Sequence, residues 1–334
     1  MKLNMLNAYQ GKRILITGGL GFIGSSLAQY LVKLGAQVTL LDNLDPLYGG
    51  NPFNVAMIKS KLVSRIGDVR DEALMTELVK NQDIIFHLAA QVSYRDSKSI
   101  PFDDLEINAR STLHILETCR LHNPGAKIMF ASSRLVLGKI VQNLITEEHP
   151  TAPLSLYGIH KLTSERYCQW YAHEYKLRTT VMRIANPYGP RQQIKHDKYS
   201  IPGWFLRLAM ENKPIPIYGN GEQLRDYIYA DDITEAFLRA GATTETDGHI
   251  YNCGTGKSIA FKEMAESIVK TVGKGSIEYI PWPANFEKDE TGSCELDMSK
   301  LKRVINWEPA TSLESGISLM YTYYKKNWDH YMHP

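Results

Sequence analysis

Residues 13–24 read RILITGGLGFIG, and this stretch decides the fold. A short apolar run, RILIT, ends in three glycines, Gly18, Gly21 and Gly24. A helical pattern then runs over 22–34 and closes at Gly35. A strand that ends in glycines and opens a helix makes a phosphate-binding turn. Gly18 allows the tight turn, Gly21 lets backbone approach a pyrophosphate, and Gly24 lets the helix pack close to the sheet. The free N–H groups at the helix start, with the positive end of its dipole, then face the anion.

The next apolar run, QVTLL at 37–41, ends at Asp42, 18 residues beyond Gly24. A carboxylate there can accept from both hydroxyls of an adenosine ribose and repels a 2′-phosphate, so NAD is favoured over NADP. Apolar runs at 61–67, 83–88 and 127–131 alternate with helical patterns near 72–80 and 102–121. Continuous apolar strands separated by helices predict a parallel sheet covered on both faces. The expected fold is therefore α/β, a Rossmann-type doubly wound parallel sheet followed by a smaller C-terminal α/β substrate domain. The alternation is lost beyond about residue 191, where Pro202, Pro214, Pro216, Gly219 and Gly221 crowd the chain. The expected division is 1–187 for the NAD-binding domain and 188–334 mainly for substrate, with some later segments returning to the first domain.

Composition narrows the classes. The chain has 334 residues, with 38 Lys and Arg against 36 Asp and Glu, a net charge of +2. That balance offers no electrostatic case for nucleic acid. At 43% apolar and 22% charged residues the chain is globular in composition, not disordered. Cys119, Cys168, Cys253 and Cys294 form no CxxC pair, so neither a disulfide framework nor a metal site is expected. No apolar run approaches the roughly 20 residues that span a bilayer. The first residues lack the apolar stretch of a signal peptide. A cytoplasmic protein without membrane partners is expected.

Tyr157 and Lys161 form a YxxxK. On a helix that spacing puts both side chains on one face. An ammonium beside a phenol would lower the phenol pKa from about 10 and make it a base near neutral pH. The same pattern occurs at Tyr94 and Lys98 and at Tyr321 and Lys325. Tyr157 is set apart because it follows the fifth strand, whose end carries Ser132 and Ser133. Ligands of α/β sheets bind beyond the carboxyl ends of strands, so Ser133 and the glycine turn would face one crevice. GTGKS at 254–258 evokes a phosphate loop, but Tyr251 stands where that motif needs its first glycine. A turn is expected there.

TGxxGFIG, Ser133 and YxxxK, in this order, resemble the extended short-chain dehydrogenase/reductases that modify nucleotide sugars, the epimerases and 4,6-dehydratases. The likeness runs through LLDNL, GDVRD, HLAAQ, FASSRLVLG, RIANPYGP, GNGEQLRDYIYADD and INWEP. It implies a cofactor site of Gly18, Gly21, Phe22, Ile23, Gly24, Asp42, Asn43, Asp68, Val69, Leu88, Ala89, Ala90, Asn108, Tyr157 and Lys161. It implies a catalytic set of Ser133, Tyr157 and Lys161, and substrate contacts from Ser93, Arg134, Asn186, Arg191 and Arg225. Asn186 and Arg225 would bind the diphosphate of a nucleotide sugar. His196 is a weaker candidate for touching the sugar. The resemblance also implies a homodimer packed through the Tyr157 helix and its neighbour at 102–121. The band Tyr167, Trp170, Tyr171 and Tyr175 lies on the first of these helices, although such a stripe is more often core.

The chain departs from the family in two places. Dehydratases carry an Asp-Glu pair directly after the catalytic Ser or Thr, and here Arg134 and Leu135 stand there. A cation and an alkyl group cannot move the protons that 4,6-elimination requires. A second diphosphate-binding arginine would fall at Glu287 or Lys288. The expected activity is therefore a UDP-sugar 4-epimerase with tightly held NAD, in which Tyr157 takes the proton of the 4-hydroxyl as hydride leaves C4. Two alternatives stay open. One is a dehydratase drawing on Asp96 or Glu147, and the other is a non-catalytic nucleotide-binding protein.

Overall fold

The computed structural model describes residues 7–141, 144–283 and 290–332. Up to residue 184 the strands are β1 (Arg13–Thr17), β2 (Gln37–Asp42), β3 (Val63–Ile66), β4 (Ile84–His87), β5 (Lys127–Ser133) and β6 (Arg178–Ile184). Next come β7 (Asn186–Tyr188), β8 (Pro214–Tyr218) and β9 (Leu224–Tyr229) in smaller sheets, and then β10 (His249–Cys253). The main sheet runs β10-β6-β5-β4-β1-β2-β3, and every pair is parallel. The strand order reverses between β1 and β4, where Thr17 is level with His87. Crossovers leave in opposite directions from that point and open a crevice at the carboxyl ends.

Each face of the sheet has its own core. Ile14 and Ile16 of β1 pack into one, with Leu27 and Leu31 from the helix Phe22–Lys33 and Phe237 from the helix Ala230–Gly241. Leu15 packs into the other, with Met75 and Leu78 from the helix Glu72–Val79, Ile115 from Ser111–His122 and Cys168 from Leu156–Tyr175. Each such side chain, fully buried, contributes about 1.5–3 kcal/mol of transfer free energy. The period of two along β1 thus explains why its run is apolar throughout.

Three elements differ from expectation. The third strand is short, and all four residues of Val63–Ile66 are exposed at the sheet edge. β6 has no counterpart among the expected strands. Its run, RTTVMRI, is broken by polar residues whose burial is compensated: Arg183 pairs with Glu165, and Thr180 bonds to Thr246. The helix expected over 102–121 is found as Pro101–Leu105, a π-turn at Glu106–Arg110 and Ser111–His122.

β10 lies beyond residue 187 yet adds to the main sheet beside β6. Lys127, at the start of β5 and 0% exposed, ties this region down through Ala240 O at 2.7 Å and the Asp247 carboxylate at 2.8 Å. β11 (Ser258–Ala260), β9 and β7 form a three-stranded sheet, and β12 (Ser276–Ile280) pairs with β8. A third core, built on Phe205, Ile215, Met264 and Tyr324, joins these to the helices Ile201–Met210, Phe261–Val272 and Leu313–Met332. The GTGKS segment is a turn into β11, as expected. Its backbone N–H groups at Thr255 and Gly256 are taken by the Asp226 carboxylate at 2.8 and 3.0 Å, so the chain supplies its own anion there.

Candidate active site

The crevice at the switch point is a cavity of about 480 Å³ that extends from the glycine turn to β9. Gly18 has φ +69°, and a Cβ there would meet Ala89 N at 2.9 Å. A Cβ on Gly24 would sit 2.2 Å from Gly18 O, so the helix approaches the turn only because residue 24 has no side chain. Asp42 Oδ2 accepts from Leu20 N at 3.0 Å and Oδ1 from Leu44 N at 3.0 Å. The expected ribose ligand therefore also braces the glycine turn from behind. Burial raises its pKa, and these backbone donors oppose the rise. Asn43 donates to Asp68 at 2.9 Å. Burial pushes the Asp68 carboxyl up, but hydrogen bonds from Arg70 and Asn43 outweigh it and hold it at about 2. Phe22, Ile23, Val69, Leu88, Ala89 and Ala90 complete this end.

Below the turn, a buried chain fixes the β1–β4 junction. Thr17 Oγ1 accepts from the N–H groups of Leu88 and Ala89 and lies 2.8 Å from His87 Nδ1. His87 Nε2 lies 3.0 Å from Thr112 Oγ1, whose hydroxyl donates to Asn108 O. Burial, and then the Lys161 charge, push His87 down to about 3, so it is a neutral ring donating from Nε2.

At the floor, Ser133 and Tyr157 line the cavity together, and the Ser133 hydroxyl accepts from Leu135 N at 3.2 Å. Ser132, one residue earlier on β5, turns away to Glu165 Oε1 at 2.6 Å. The alternation of a strand thus separates two serines that look equivalent in sequence. The helix Leu156–Tyr175 starts at a Ser155 cap, whose side chain accepts from Gly158 N, and carries both Tyr157 and Lys161. Lys161 Nζ donates to Ala131 O at 3.0 Å and lies over the Phe130 ring. Burial lowers Lys161 to about 8, although Asp104, Cys168 and Glu165 pull it back up. The expected lowering of the phenol is not found. Burial, and then Asp104, raise Tyr157, and only the Ser133 hydrogen bond opposes them. The physical reason is that the ammonium is directed at Ala131 O, and among the described residues no hydrogen bond links it to Tyr157.

At the opposite end, Arg134 Nε donates to Asn186 Oδ1 at 2.5 Å. Arg225 is 7% exposed and grips Glu290 with Nη2 at 2.6 and 2.7 Å from its two carboxylate oxygens. All four of these residues line the cavity.

Four candidates are not part of its wall. Ser93 is buried and accepts from Asp96 N at 3.1 Å. Asn108, buried in the π-turn, donates to Gln91 O at 2.9 Å. Arg191 has φ +73°, donates to Ser26 Oγ at 3.2 Å, lies 3.9 Å from Asp231 Oδ1 and sits over the Tyr323 ring. His196 faces Leu47 O at 3.2 Å. Asp96 and Glu147, the carboxylates considered for elimination, also lie off the cavity. Asp96 pairs with Lys198, and Glu147 accepts from Asn252 N. Glu287 and Lys288 lie outside the described residues.

Several wall residues escaped the sequence reading, among them Tyr48, Tyr199, Tyr218, Tyr227, Trp282 and Glu290. Tyr227 alone had a signal, since a strand through Arg225 puts residue 227 on the same face.

This fold and site are those of a family of known enzymes. The family described as GDP-mannose 4,6 dehydratase matches residues 15–320. UDP-glucose 4-epimerase of Mycolicibacterium smegmatis is 31% identical over 310 residues, covering 92% of this chain and 96% of that protein. The solved UDP-glucose 4-epimerase of Thermotoga maritima with UDP-glucose superposes with a TM-score of 0.86 at 31% identity, over 95% of this chain and 99% of that one. The dTDP-glucose 4,6-dehydratase of Streptomyces venezuelae, solved with NAD bound, superposes with a TM-score of 0.87 at 26% identity, over 96% and 99%. The chain belongs to the extended short-chain dehydrogenase/reductase family of nucleotide-sugar epimerases and dehydratases, and it is an NAD-dependent enzyme. Among the described residues, no helix is long and apolar enough to cross a membrane.

Proposed function

We propose that this enzyme is a 4-epimerase of a UDP-hexose or UDP-N-acetylhexosamine. One observation carries the reading. Ser133, Tyr157 and Lys161 meet on the cavity floor, while the next two positions of the chain, where elimination needs acids, hold Arg134 and Leu135. The carboxylates at the substrate end of the wall, Asp197 and Glu290, are each tied to an arginine, Arg95 and Arg225.

The residues present fit NAD. A cradle that a Cβ would fill, at Gly18 and Gly24, takes the pyrophosphate, and the Asp42 carboxylate takes the ribose. Bound NAD⁺ would supply the hydride acceptor for sugar C4 and return the hydride. Tyr157 takes the 4-hydroxyl proton and gives it back. Ser133 donates a hydrogen bond to the 4-oxygen as it becomes a carbonyl. Lys161 holds the nicotinamide ribose from the same helix face as Tyr157. Asn186 and Arg225 hold the diphosphate, and Arg225 must first exchange Glu290 for it. Because the cycle consumes no NAD, the cofactor stays bound through turnover.

We further infer a homodimer and a cytoplasmic location. Phe102 and Leu121, 79% and 55% exposed, and Trp170, 52% exposed, form an apolar surface on the two helical segments expected to pair. Four buried free cysteines suit a reducing compartment.

The test is incubation of the purified protein, without added NAD, with a panel of nucleotide sugars, read by mass and proton NMR. A product of unchanged mass with an altered C4–H coupling is expected. A product lighter by one water would overturn the epimerase in favour of a dehydratase.

A further inference from the structure

Among the described residues, charges do not balance at the substrate end of the cavity. The Arg134 guanidinium has two neutral partners, Asn186 Oδ1 at 2.5 Å and Thr291 Oγ1 at 3.0 Å. Among the described residues it makes no ion pair. Glu290, beside it on the wall, is committed to Arg225 through both of its oxygens. Among the described residues, these two guanidiniums therefore share one carboxylate. Burial, and then the charge of Arg225, lower the Arg134 pKa, the direction that a bound anion would reverse. Arg134 is half-buried, and a cation held partly out of water is stabilised by a bound anion.

A second observation is independent of charge. Tyr227 is 7% exposed, its hydroxyl has no hydrogen-bond partner, and it lines the same cavity. A buried phenol hydroxyl without an acceptor is rare in a finished core. Tyr227 lines this cavity together with Arg134 and Arg225.

We propose that Arg134 and Tyr227 form a carboxylate-binding subsite, and that the sugar of the substrate is a nucleotide-linked hexuronate. This deepens the preceding reading of the site and rests on it. Position favours the sugar over the diphosphate as the source of the anion. Arg134 directly follows Ser133 in the chain, and the two line one cavity with Tyr157. The guanidinium fork takes both oxygens of a planar carboxylate, and the Tyr227 hydroxyl donates a further hydrogen bond.

The experiment is calorimetric titration of the protein as purified with UDP, UDP-glucose and UDP-glucuronate. Wild type, Arg134→Met and Tyr227→Phe are compared. Wild type is expected to bind UDP-glucuronate about tenfold or more tighter than UDP-glucose. Arg134→Met should erase that preference and leave UDP affinity within about twofold. Tyr227→Phe removes one oxygen without changing shape, so it covers the case in which Arg134→Met does not fold, and it should reduce the preference several-fold. Equal binding of the two sugars by wild type would overturn the proposal. So would an Arg134→Met variant that weakens all three ligands alike, since the anion would then be a phosphate. A glucuronate preference with no isomerised product would sink the epimerase reading and leave the subsite standing.

Discussion

His160 Nδ1 lies 2.5 Å from Asp104 Oδ1, a hydrogen-bond contact inside the protein, with His160 placed between Tyr157 and Lys161 on the helix Leu156–Tyr175. Asp104 is 0% exposed, and its second oxygen has no partner. Its charge raises both Tyr157 and Lys161. Asp104→Asn removes that anion, so both groups should titrate at lower pH. The acid limb of the kcat/KM profile, where Tyr157 must lose its proton, is expected to move down by up to about one unit. A lower rate with an unmoved limb would make Asp104 a purely structural partner of His160.

Lys161 predicts how stability depends on pH. Its folded pKa, about 8, lies below the ordinary 10.5 because of burial. Between those values the unfolded chain holds a proton that the native state has lost, so stability rises with pH across this window. Below pH 8 the buried ammonium costs its full amount. Lys161→Met should therefore be more stable than wild type at pH 7 and show a flatter rise toward pH 10, while kcat falls about 10²–10⁴-fold. Urea unfolding at four pH values, beside turnover, checks both parts.

The Glu165–Arg183 pair joins the catalytic helix to β6. Arg183 Nη2 lies 2.7 Å from Glu165 Oε2, with side chains 2% and 0% exposed. Ser132 also donates to Glu165. Glu165→Ala leaves a buried guanidinium without its anion and is expected to cost about 3–5 kcal/mol. Replacing the pair together, Glu165→Leu with Arg183→Met, should recover most of that loss. Equilibrium unfolding of the single and double variants decides the point.

In the proposed diphosphate role of Arg225, Glu290 is the competitor that the substrate must displace. Glu290→Gln keeps the shape and removes the charge, so the guanidinium is released more readily. UDP is expected to bind several-fold tighter, with a steeper salt dependence. Calorimetry at two ionic strengths measures both. An unchanged affinity would mean that Arg225 serves the fold alone.

Much of this molecule is written locally. The turn at Gly18 needs a positive φ, the contact at Gly24 has no room for a Cβ, and Asp42 closes β2. Such demands fall on single positions at fixed spacings, so they survive in the sequence as motifs. The i, i+4 spacing of Tyr157 and Lys161 is legible for the same reason. β6 was not, because its buried polar residues read as surface until Glu165 and Thr246 are placed beside them.

The sequence by itself determined the parallel sheet, the dinucleotide turn and the order of serine, tyrosine and lysine. Each depends on backbone sterics or on a period shorter than one helical turn. Only the tertiary structure decided which candidates face the cavity and which charges cancel. Arg191 turned to Ser26, 165 residues away, and Arg225 met Glu290 across 65 residues, leaving Arg134 with Asn186 across 52 and, among the described residues, no ion pair. Electrostatic balance depends on distance through space. Sequence separation carries almost none of that information once the chain has folded.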